Sequence, residues 1–305
     1  MSSMKLLLSD SRNPYENLAI EQELLLSAGD AVLLWANEPC VVIGRHQNPY
    51  CETDPAYLDE HGILLARRTT GGGAVYHDAG NLNYSLVSDA PCTDRAVDLA
   101  IAALRRLGVH ASFSGRNDII VESAGSGAKI GGVAACCDGR FLCHGTIMVD
   151  VDLDAMEHAL RPSPLKLDAH GVQSVKARVA NLRELYPEIS IPQVIQAFEK
   201  ELGCDAILTT ANDQTLARAK ALASHPWAFG HSPACQTTVE LRLSDGLYRF
   251  EFNVHDGLIR SMVIYTDSCS PSDLAKAAQS LEGVEYRPEA FAIAAQAALG
   301  SNQQG

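Results

Sequence analysis

Basic residues are scarce in this chain. Its 305 residues hold 24 Lys and Arg against 37 Asp and Glu, a formal net charge of −13. Such a chain is a poor candidate for non-specific nucleic-acid binding or attachment to an anionic membrane, which need basic patches. Long apolar runs are missing too, and none approaches the ~18 residues of a membrane span. The opening "MSSMKLLLSDSRNPYE" turns polar after a short apolar run, with no small-residue cleavage site behind it, so no signal peptide is expected. The nine cysteines (Cys40, Cys51, Cys92, Cys136, Cys137, Cys143, Cys204, Cys235 and Cys269) show no Cys-x-x-Cys spacing, which counts against a zinc ribbon. Without a secretion signal, reduced thiols in a cytoplasm are the expectation, most of them small apolar core residues. There is no internal repeat, no low-complexity tract and no basic helix-turn-helix.

What is present is ordinary for a globular protein: 47% hydrophobic and 20% charged residues. The length suggests about two domains at ~150 residues each. "PYENLAIEQELLLSAG" predicts an amphipathic helix, with Asn17 as its cap and Gly29 as its end. "AVLLWANEPCVVIG" predicts two strands joined by a polar turn at 37–39, and "GILLARRT", "GNLNYSLV" and "NDIIVES" predict further strands. "RAVDLAIAALRRLGV" and "PQVIQAFEKELG" predict helices. The stretch from Ala124 to Leu153 predicts a loop and then a hairpin turning at Asp138-Gly139. This mixture fits an α+β core with a mixed sheet better than a regular βαβ repeat. Beyond the Pro- and Gly-containing "HPWAFGHSPACQ", three strands at hairpin spacing precede two helices. The division expected is 1–228 for a larger domain and 235–305 for a small α+β domain.

Several short segments could carry chemistry. "RRTTGGGAVYHDAGNLNYS" places three glycines behind Arg67 and Arg68. Glycines at a strand end let backbone N–H groups approach an anion. Strand alternation would aim only one of the two arginines into a site. No Lys-Ser/Thr follows, so this is not a Walker loop, and Gly-x-Gly-x-x-Gly is absent there. A plain glycine turn and an anion cradle both remain open on spacing alone. "GRNDI" and "GAKIGG" follow, the latter with Lys129 in a cation-poor setting where it could meet a phosphate or carboxylate. His144 precedes an apolar strand, and "GVQSVKARVANL" carries Lys176 and Arg178.

Taken in order, "ENLAIEQELL", "LLWANEPCVVIGRHQNPYCE", "ARRTTGGGAVYHDAGNLNYS", "SGRNDIIV", "AKIGG", "HGTIMVDVDL" and "SVKARVANL" resemble lipoate–protein ligase of the bacterial A type. The likeness continues through "WAFGHSPA" and "YTDS" and so spans almost the whole chain. It implies a core like that of biotin and lipoate protein ligases, distantly like class II aminoacyl-tRNA synthetases, with a small C-terminal domain. It implies activation of free lipoate by ATP to lipoyl-AMP. The lipoyl group then passes to a lysine of the lipoyl domains of 2-oxoacid dehydrogenase E2 subunits or of the glycine-cleavage H protein, a route for lipoate salvage. Carried over by position, Arg68 meets the nucleotide phosphate and the activated carboxyl. Gly73, Ala74, Val75 and Tyr76 hold ATP through their backbone. Lys129 contacts lipoate and the α-phosphate and is the catalytic residue, and Gly72 joins Arg68 and Lys129 around lipoate. Asn117 and Asp118 lie near the phosphates, with Asp118 a ligand for Mg²⁺. His77, Asn81 and His144 are further candidates, and the 174–182 segment matches a loop over the adenylate. An apolar tunnel for the dithiolane would draw on Trp35, Val41, Val42 and Leu82.

The alternative within this fold is an octanoyl or lipoyl transferase that needs no ATP and works through a cysteine thiolate. In the octanoyltransferase that resembles this chain around "HG", the nucleophile stands three residues before the histidine, a position occupied here by Phe141. Cys143 is adjacent to His144, and Cys136 and Cys137 lie further back. A one-residue displacement on a strand turns a side chain to the other face.

Overall fold

The computed structural model describes residues 4–114, 117–123, 126–161, 179–230, 232–243, 246–268 and 273–300. Eight strands make the main sheet: β1 (Lys5–Ser9), β2 (Ala31–Trp35), β6 (Asn81–Ser88), β7 (Ala111–Phe113), β8 (Asp118–Ser123), β9 (Ser126–Asp138), β10 (Arg140–Met148) and β11 (Ile207–Thr209). Their spatial order is β11-β1-β2-β6-β10-β9-β8-β7. β1 pairs in parallel with β2 and β11, and the other neighbours are antiparallel, so the sheet is mixed. Strand alternation divides its two faces. Val32 and Leu34 of β2 and Leu82, Tyr84 and Leu86 of β6 enter one apolar cluster. That cluster is capped by α4 (Thr93–Arg106) through Ala96, Val97, Ala100, Ala103 and Leu104, spaced as one helical face, and by Val194, Ala197 and Phe198 of α7 (Ile191–Leu202). Leu33 and Trp35 face the opposite way, toward Leu18, Ala19 and Ile20 of α1 (Pro14–Leu26).

A second sheet, ordered β4-β3-β5, is built from β3 (Cys40–Ile43), β4 (Leu64–Arg67) and β5 (Val75–His77). The predicted strands on either side of the 37–39 turn therefore belong to different sheets. Two short helices, α2 (Pro49–Glu52) and α3 (Pro55–Glu60), connect β3 to β4. The glycine-rich segment lies between β4 and β5, above the face of the main sheet that carries Asn83 and Ser85. Short helices α5 (Leu153–Ala159), α6 (Leu182–Leu185) and α9 (His225–Ala228) and the longer α8 (Asp213–Leu222) complete this part. The C-terminal part is an antiparallel sheet of β12 (Cys235–Leu243), β13 (Gly246–His255) and β14 (Leu258–Thr266), covered by α10 (Leu274–Leu281) and α11 (Pro288–Gly300). Its own apolar cluster centres on Tyr248, Phe250, Phe252, Val254 and Phe291. Among the described residues no helix is long and apolar enough to cross a membrane.

Three expectations need correction. Asn17 does not cap α1: Asn13 does, its side chain accepting from the backbone N–H groups of Tyr15 and Glu16. Asn17 lies a turn further on and is fully buried. It accepts from Ser9 Oγ (2.6 Å) and donates to Ser11 O, Ala36 O and Asn37 Oδ1 at 2.9–3.1 Å. Helical spacing had placed a polar residue on the apolar face, and tertiary hydrogen bonds explain why it is tolerated there. Secondly, Lys129 is on a strand rather than a loop. Glycine content suggested irregular backbone, yet β9 is paired on both edges, to β8 and β10, with its register shifted opposite Ile119/Ile120. Thirdly, the thiols are not all free: Cys51 and Cys235 form a disulfide.

Replacing Asn17 with Ala leaves a hydroxyl, an amide and two carbonyls short of a buried partner. We expect a loss of about 3 kcal/mol, read as a lower urea midpoint at unchanged m-value.

Candidate functional site

A half-open cavity of about 220 Å³ lies between the glycine-rich segment and the main sheet. Leu18, Trp35, Val42, Val75 and Val133 supply an apolar wall, and Asn117, Asp118 and Lys129 stand with Gly132 along β8 and β9. Arg68, Gly72, Gly73 and Ala74 bring the glycine-rich segment to it, and His77, Asn83, Ala134, His144, Gly145 and Thr146 complete the lining.

The two arginines of "RRTTGGG" separate by alternation. Arg68 reaches the cavity and is 5% exposed. Its Nε donates to Thr70 Oγ1 (2.9 Å), its Nη1 to Val42 O (2.9 Å), and its Nη2 to Gly71 O (2.6 Å) and Gly73 O (2.8 Å). Burial lowers its pKa to about 10, so it stays a cation at neutral pH. Arg67 points away, and its guanidinium gathers the carbonyls of Gly44, Arg45, Gln47, Trp227 and Ala228 and the Ser232 hydroxyl. Of the three glycines, Gly72 is the one with a strict requirement. Its φ is +89°, and a Cβ there would lie 2.9 Å from Arg68 Nη2. Gly44 is pressed against the same turn, where a Cβ would meet Gly72 O at 2.2 Å.

Beneath the apolar wall runs a chain of polar groups that sequence reading missed. Trp35 Nε1 donates to Ser85 Oγ (2.9 Å), and Ser85 Oγ donates to Glu21 Oε1 (2.6 Å). His144 Nδ1–H donates to the same oxygen (2.7 Å), and its Nε2 lies 2.8 Å from Thr70 Oγ1, the acceptor for Arg68. Glu21 is fully buried within the apolar stretch of α1, as is Asn17 one turn earlier. Asn83 was legible in principle. In "NLNYS" the even positions are core residues, while Asn81, Asn83 and Ser85 form a polar row on the other face, and all three are buried. A buried polar row implies partners or a ligand.

His77 and Asp78 have different surroundings. Asp78 accepts from the backbone N–H of Gly80 and of Asp152, both at 2.8 Å, and so holds the turn after β5. His77 lines the cavity. Asn37 Oδ1 accepts from Asn17, so Asn37 Nδ2 is left to donate to His77 Nδ1 (3.1 Å). The ring proton then sits on Nε2, which is buried without a hydrogen-bond partner. Asn83 Nδ2 is likewise buried and unpaired, so two neutral donors border the same cavity. Lys129 Nζ and Asp118 Oδ1 are 2.7 Å apart, each side chain a little over one-third exposed.

Not every candidate reaches the cavity. Tyr76 is buried on the opposite side of the small sheet with Val41, Ile43 and Met148. Asn81 is buried behind the lining and donates to Asn83 Oδ1. Of the four proposed tunnel residues, Trp35 and Val42 line the cavity, whereas Val41 and Leu82 belong to apolar clusters elsewhere. Lys176, Arg178 and Arg116 lie outside the described residues; of the 174–182 segment, Val179 bridges Lys129 and Ala180 N donates to Lys129 O.

Residues 13–203 match the family model of the lipoyl protein ligase A/B catalytic domain, and residues 232–301 match that of the bacterial lipoate protein ligase C-terminus. Among solved structures, LipL1 of Plasmodium falciparum in complex with lipoate shares 25% identity, with 95% of this chain and 93% of that one covered and a TM-score of 0.65. A bipartite lipoate protein ligase of Thermoplasma acidophilum, described with its E2 lipoyl domain, shares 28% identity over 75% of this chain and 97% of that one, with a TM-score of 0.61. A lipoate-protein ligase A bound with ATP shares 29% identity over 76% and 100%, with a TM-score of 0.60.

His77 gives the fold a pH signature. Burial, with Arg68 as a second cause, lowers its pKa from 6.5 to about 3. Above pH 6.5 the imidazole is neutral in both folded and unfolded chains. Between about pH 6.5 and 3 only the unfolded chain takes the proton, so stability contributed by this group is lost as pH falls, at up to about 1.4 kcal/mol per pH unit. Imidazole NMR is expected to show His77 still neutral at pH ~4.5; titration near pH 6.5 would contradict the burial argument.

Proposed function

Because this chain belongs to the lipoyl protein ligase A/B catalytic-domain family, we propose that it activates free lipoate with ATP and joins the lipoyl group to a lysine of an acceptor protein. The observation that carries this reading is the cavity itself. An apolar wall suited to an aliphatic chain and dithiolane meets the buried Arg68 cation, the Lys129 ammonium and two unpaired neutral donors. A carboxylic acid with an apolar tail fits such a lining, and so does a phosphate at its cationic rim.

In the proposed first step a lipoate carboxylate oxygen attacks the α-phosphorus of ATP, and the bond to pyrophosphate breaks. Two anions must approach, and negative charge grows on the phosphoryl oxygens. Lys129 offsets that charge at the rim, and Arg68 does so from beneath the glycine-rich turn. The exposed Lys129–Asp118 pair leaves the ammonium free to exchange partners, because ion pairs of this kind are weak. Asp118 offers a carboxylate for Mg²⁺, which favours one or two carboxylates together with substrate phosphates and supplies charge neutralisation there. Backbone groups of Gly73, Ala74 and Val75 border the nucleotide. His77 and Asn83 line the cavity, and each carries a buried donor without a hydrogen-bond partner. In the second step the acceptor amine attacks the lipoyl carbonyl and AMP leaves. The acceptors proposed are lipoyl domains of 2-oxoacid dehydrogenase E2 subunits and the glycine-cleavage H protein. The T. acidophilum ligase described with its E2 lipoyl domain supports the first of these.

The thiolate-dependent alternative finds little support. No cysteine lines the cavity among the described residues. Burial pushes the Cys143 thiol up to about 12 and the Cys136 thiol up to about 11, which keeps both protonated at neutral pH. Phe141 stands opposite Cys137 across the hairpin.

Lys129→Ala is expected to reduce lipoate-dependent ATP–pyrophosphate exchange by about 100-fold or more. A half-exposed strand residue contributes little to the core, so its melting temperature should stay within about 2 °C of the parent. Exchange at the parental rate would refute the assignment. With octanoyl-carrier protein as donor and ATP omitted, no acceptor modification is expected; efficient modification would favour the transferase reading.

A further inference from the structure

Cys51 and Cys235 lie 184 positions apart in sequence, with their Cα atoms 5.9 Å apart, and they are covalently joined. Cys51 belongs to α2, in the connection between β3 and β4, and Cys235 opens β12 of the C-terminal sheet. The bond thus ties the part that holds the cavity to the part that follows it.

Non-covalent contacts surround this bond, polar ones from Asn48 and the Tyr50 hydroxyl and apolar ones from the Tyr50 ring. Asn48 Nδ2 donates to Pro233 O (2.6 Å) and Val254 O (3.1 Å). Tyr50 inserts its ring among Phe229 and Tyr286, and its hydroxyl donates to Tyr286 O (2.6 Å). Tyr50 is the one buried residue preceding Cys235 in the C-terminal apolar cluster. Hydrogen bonds to backbone carbonyls can be replaced by water, and one buried ring is a small apolar anchor, so this interface opens more readily than a domain core. A covalent bond across it changes that behaviour outright.

The same segment reaches the cavity. Seven residues before Cys51, Gly44 packs on Gly72, and Arg45 N donates to Thr70 O (2.9 Å). Arg67 gathers the carbonyls of residues 44, 45 and 47 and those of 227 and 228 on one guanidinium. Displacement of α2 would therefore be felt at the glycine-rich turn and at the linker to β12.

The two residues differ in exposure: Cys51 is exposed, while Cys235 is 3% exposed. An approaching thiol therefore meets the bond from the Cys51 side. Elsewhere, burial raises the Cys40, Cys92, Cys136 and Cys143 thiols, so none of these competes effectively as a nucleophile at neutral pH.

We propose that Cys51 and Cys235 form a reversible redox latch that, when oxidised, holds the C-terminal sheet and the 44–52 segment together and, when reduced by thiols, lets them part. A low-molecular-weight or protein thiolate attacks Cys51 Sγ, and the Cys51–Cys235 bond breaks. Cys235 leaves as a thiolate and takes a proton. A second thiol resolves the mixed disulfide at Cys51, so two RSH become RSSR and both protein thiols are restored; the reverse exchange with RSSR closes the latch. The inference rests on the disulfide and its surroundings and does not depend on which ligand the cavity binds.

The test uses the full chain in glutathione buffers running from reduced to oxidised, with differential alkylation mapped by peptide mass and amide hydrogen exchange read in parallel. Cys51 and Cys235 should change together, with both forms populated within the range of buffers. Exchange over residues 48–52 and 232–236 should rise about tenfold or more on reduction. Cys51→Ser, at an exposed position, should exchange in oxidising buffer as the reduced parent does. Free thiols at 51 and 235 in oxidised glutathione would overturn the proposal. A bond that resists reduction in the folded chain would overturn it too, as would identical exchange in the two states.

Discussion

Two adjacent buried guanidinium groups organise this protein. A guanidinium taken out of water must have its N–H groups met, and few side chains can meet them. Both arginines turn to backbone carbonyls instead. At the end of β4, alternation sends Arg68 under the glycine-rich turn and Arg67 to the opposite side. One strand end thereby sets the shape of the cavity's turn and the path of the linker that leads to the C-terminal sheet. Burial lowers the pKa of both groups. The cationic form persists through the density of acceptors collected around each; those of Arg67 come from distant segments, while those of Arg68 are Val42 and its own glycine-rich turn.

The cavity floor follows the same logic. Glu21, Ser85, His144 and Thr70 come from α1, β6, β10 and the turn after β4; Ser85 and His144 both meet Glu21 Oε1, and His144 reaches on to Thr70. Arg68 ends this chain and Trp35 begins it. A connected polar network with an apolar wall above it restrains side-chain rotation, which keeps a small cavity open in one shape. The unpaired His77 and Asn83 donors lie outside the network, whose own Glu21 Oε2 is also buried without a hydrogen-bond partner.

Much of this was readable along the chain, for reasons that differ by element. The spacing of Ala96, Val97, Ala100, Ala103 and Leu104 announces a helix with one buried face, and "TTVELRL", "GLYRFEFNV" and "GLIRSMVIYTD" announce three strands by alternation. Arg68, Lys129 and the glycines stood out as motif residues, and the cavity gathers them with Asn117, Asp118, His77 and His144. The tertiary roles of Asn17 and Glu21 are not legible in the sequence, because periodicity reports where an apolar face should be, not which polar groups on it find partners. Lys129 was misread as a loop residue because glycine content is a local signal, whereas pairing on both edges of β9 is set by strands remote from it.

By itself the sequence determined the mixed α+β character, the type of several of the longer elements and the ionisable residues available for chemistry. These follow from hydrophobic period, turn residues and residue type, all of which are local. Only the tertiary structure decided that Arg67 clamps a linker while its neighbour faces the cavity, and that Tyr76 and Asn81 stay out of the lining while Asn83 enters it. Only the fold could bring Cys51 to Cys235. Each of these depends on which distant carbonyl, ring or sulfur lies within a few ångströms, and that proximity is a property of packed elements rather than of any single stretch of chain.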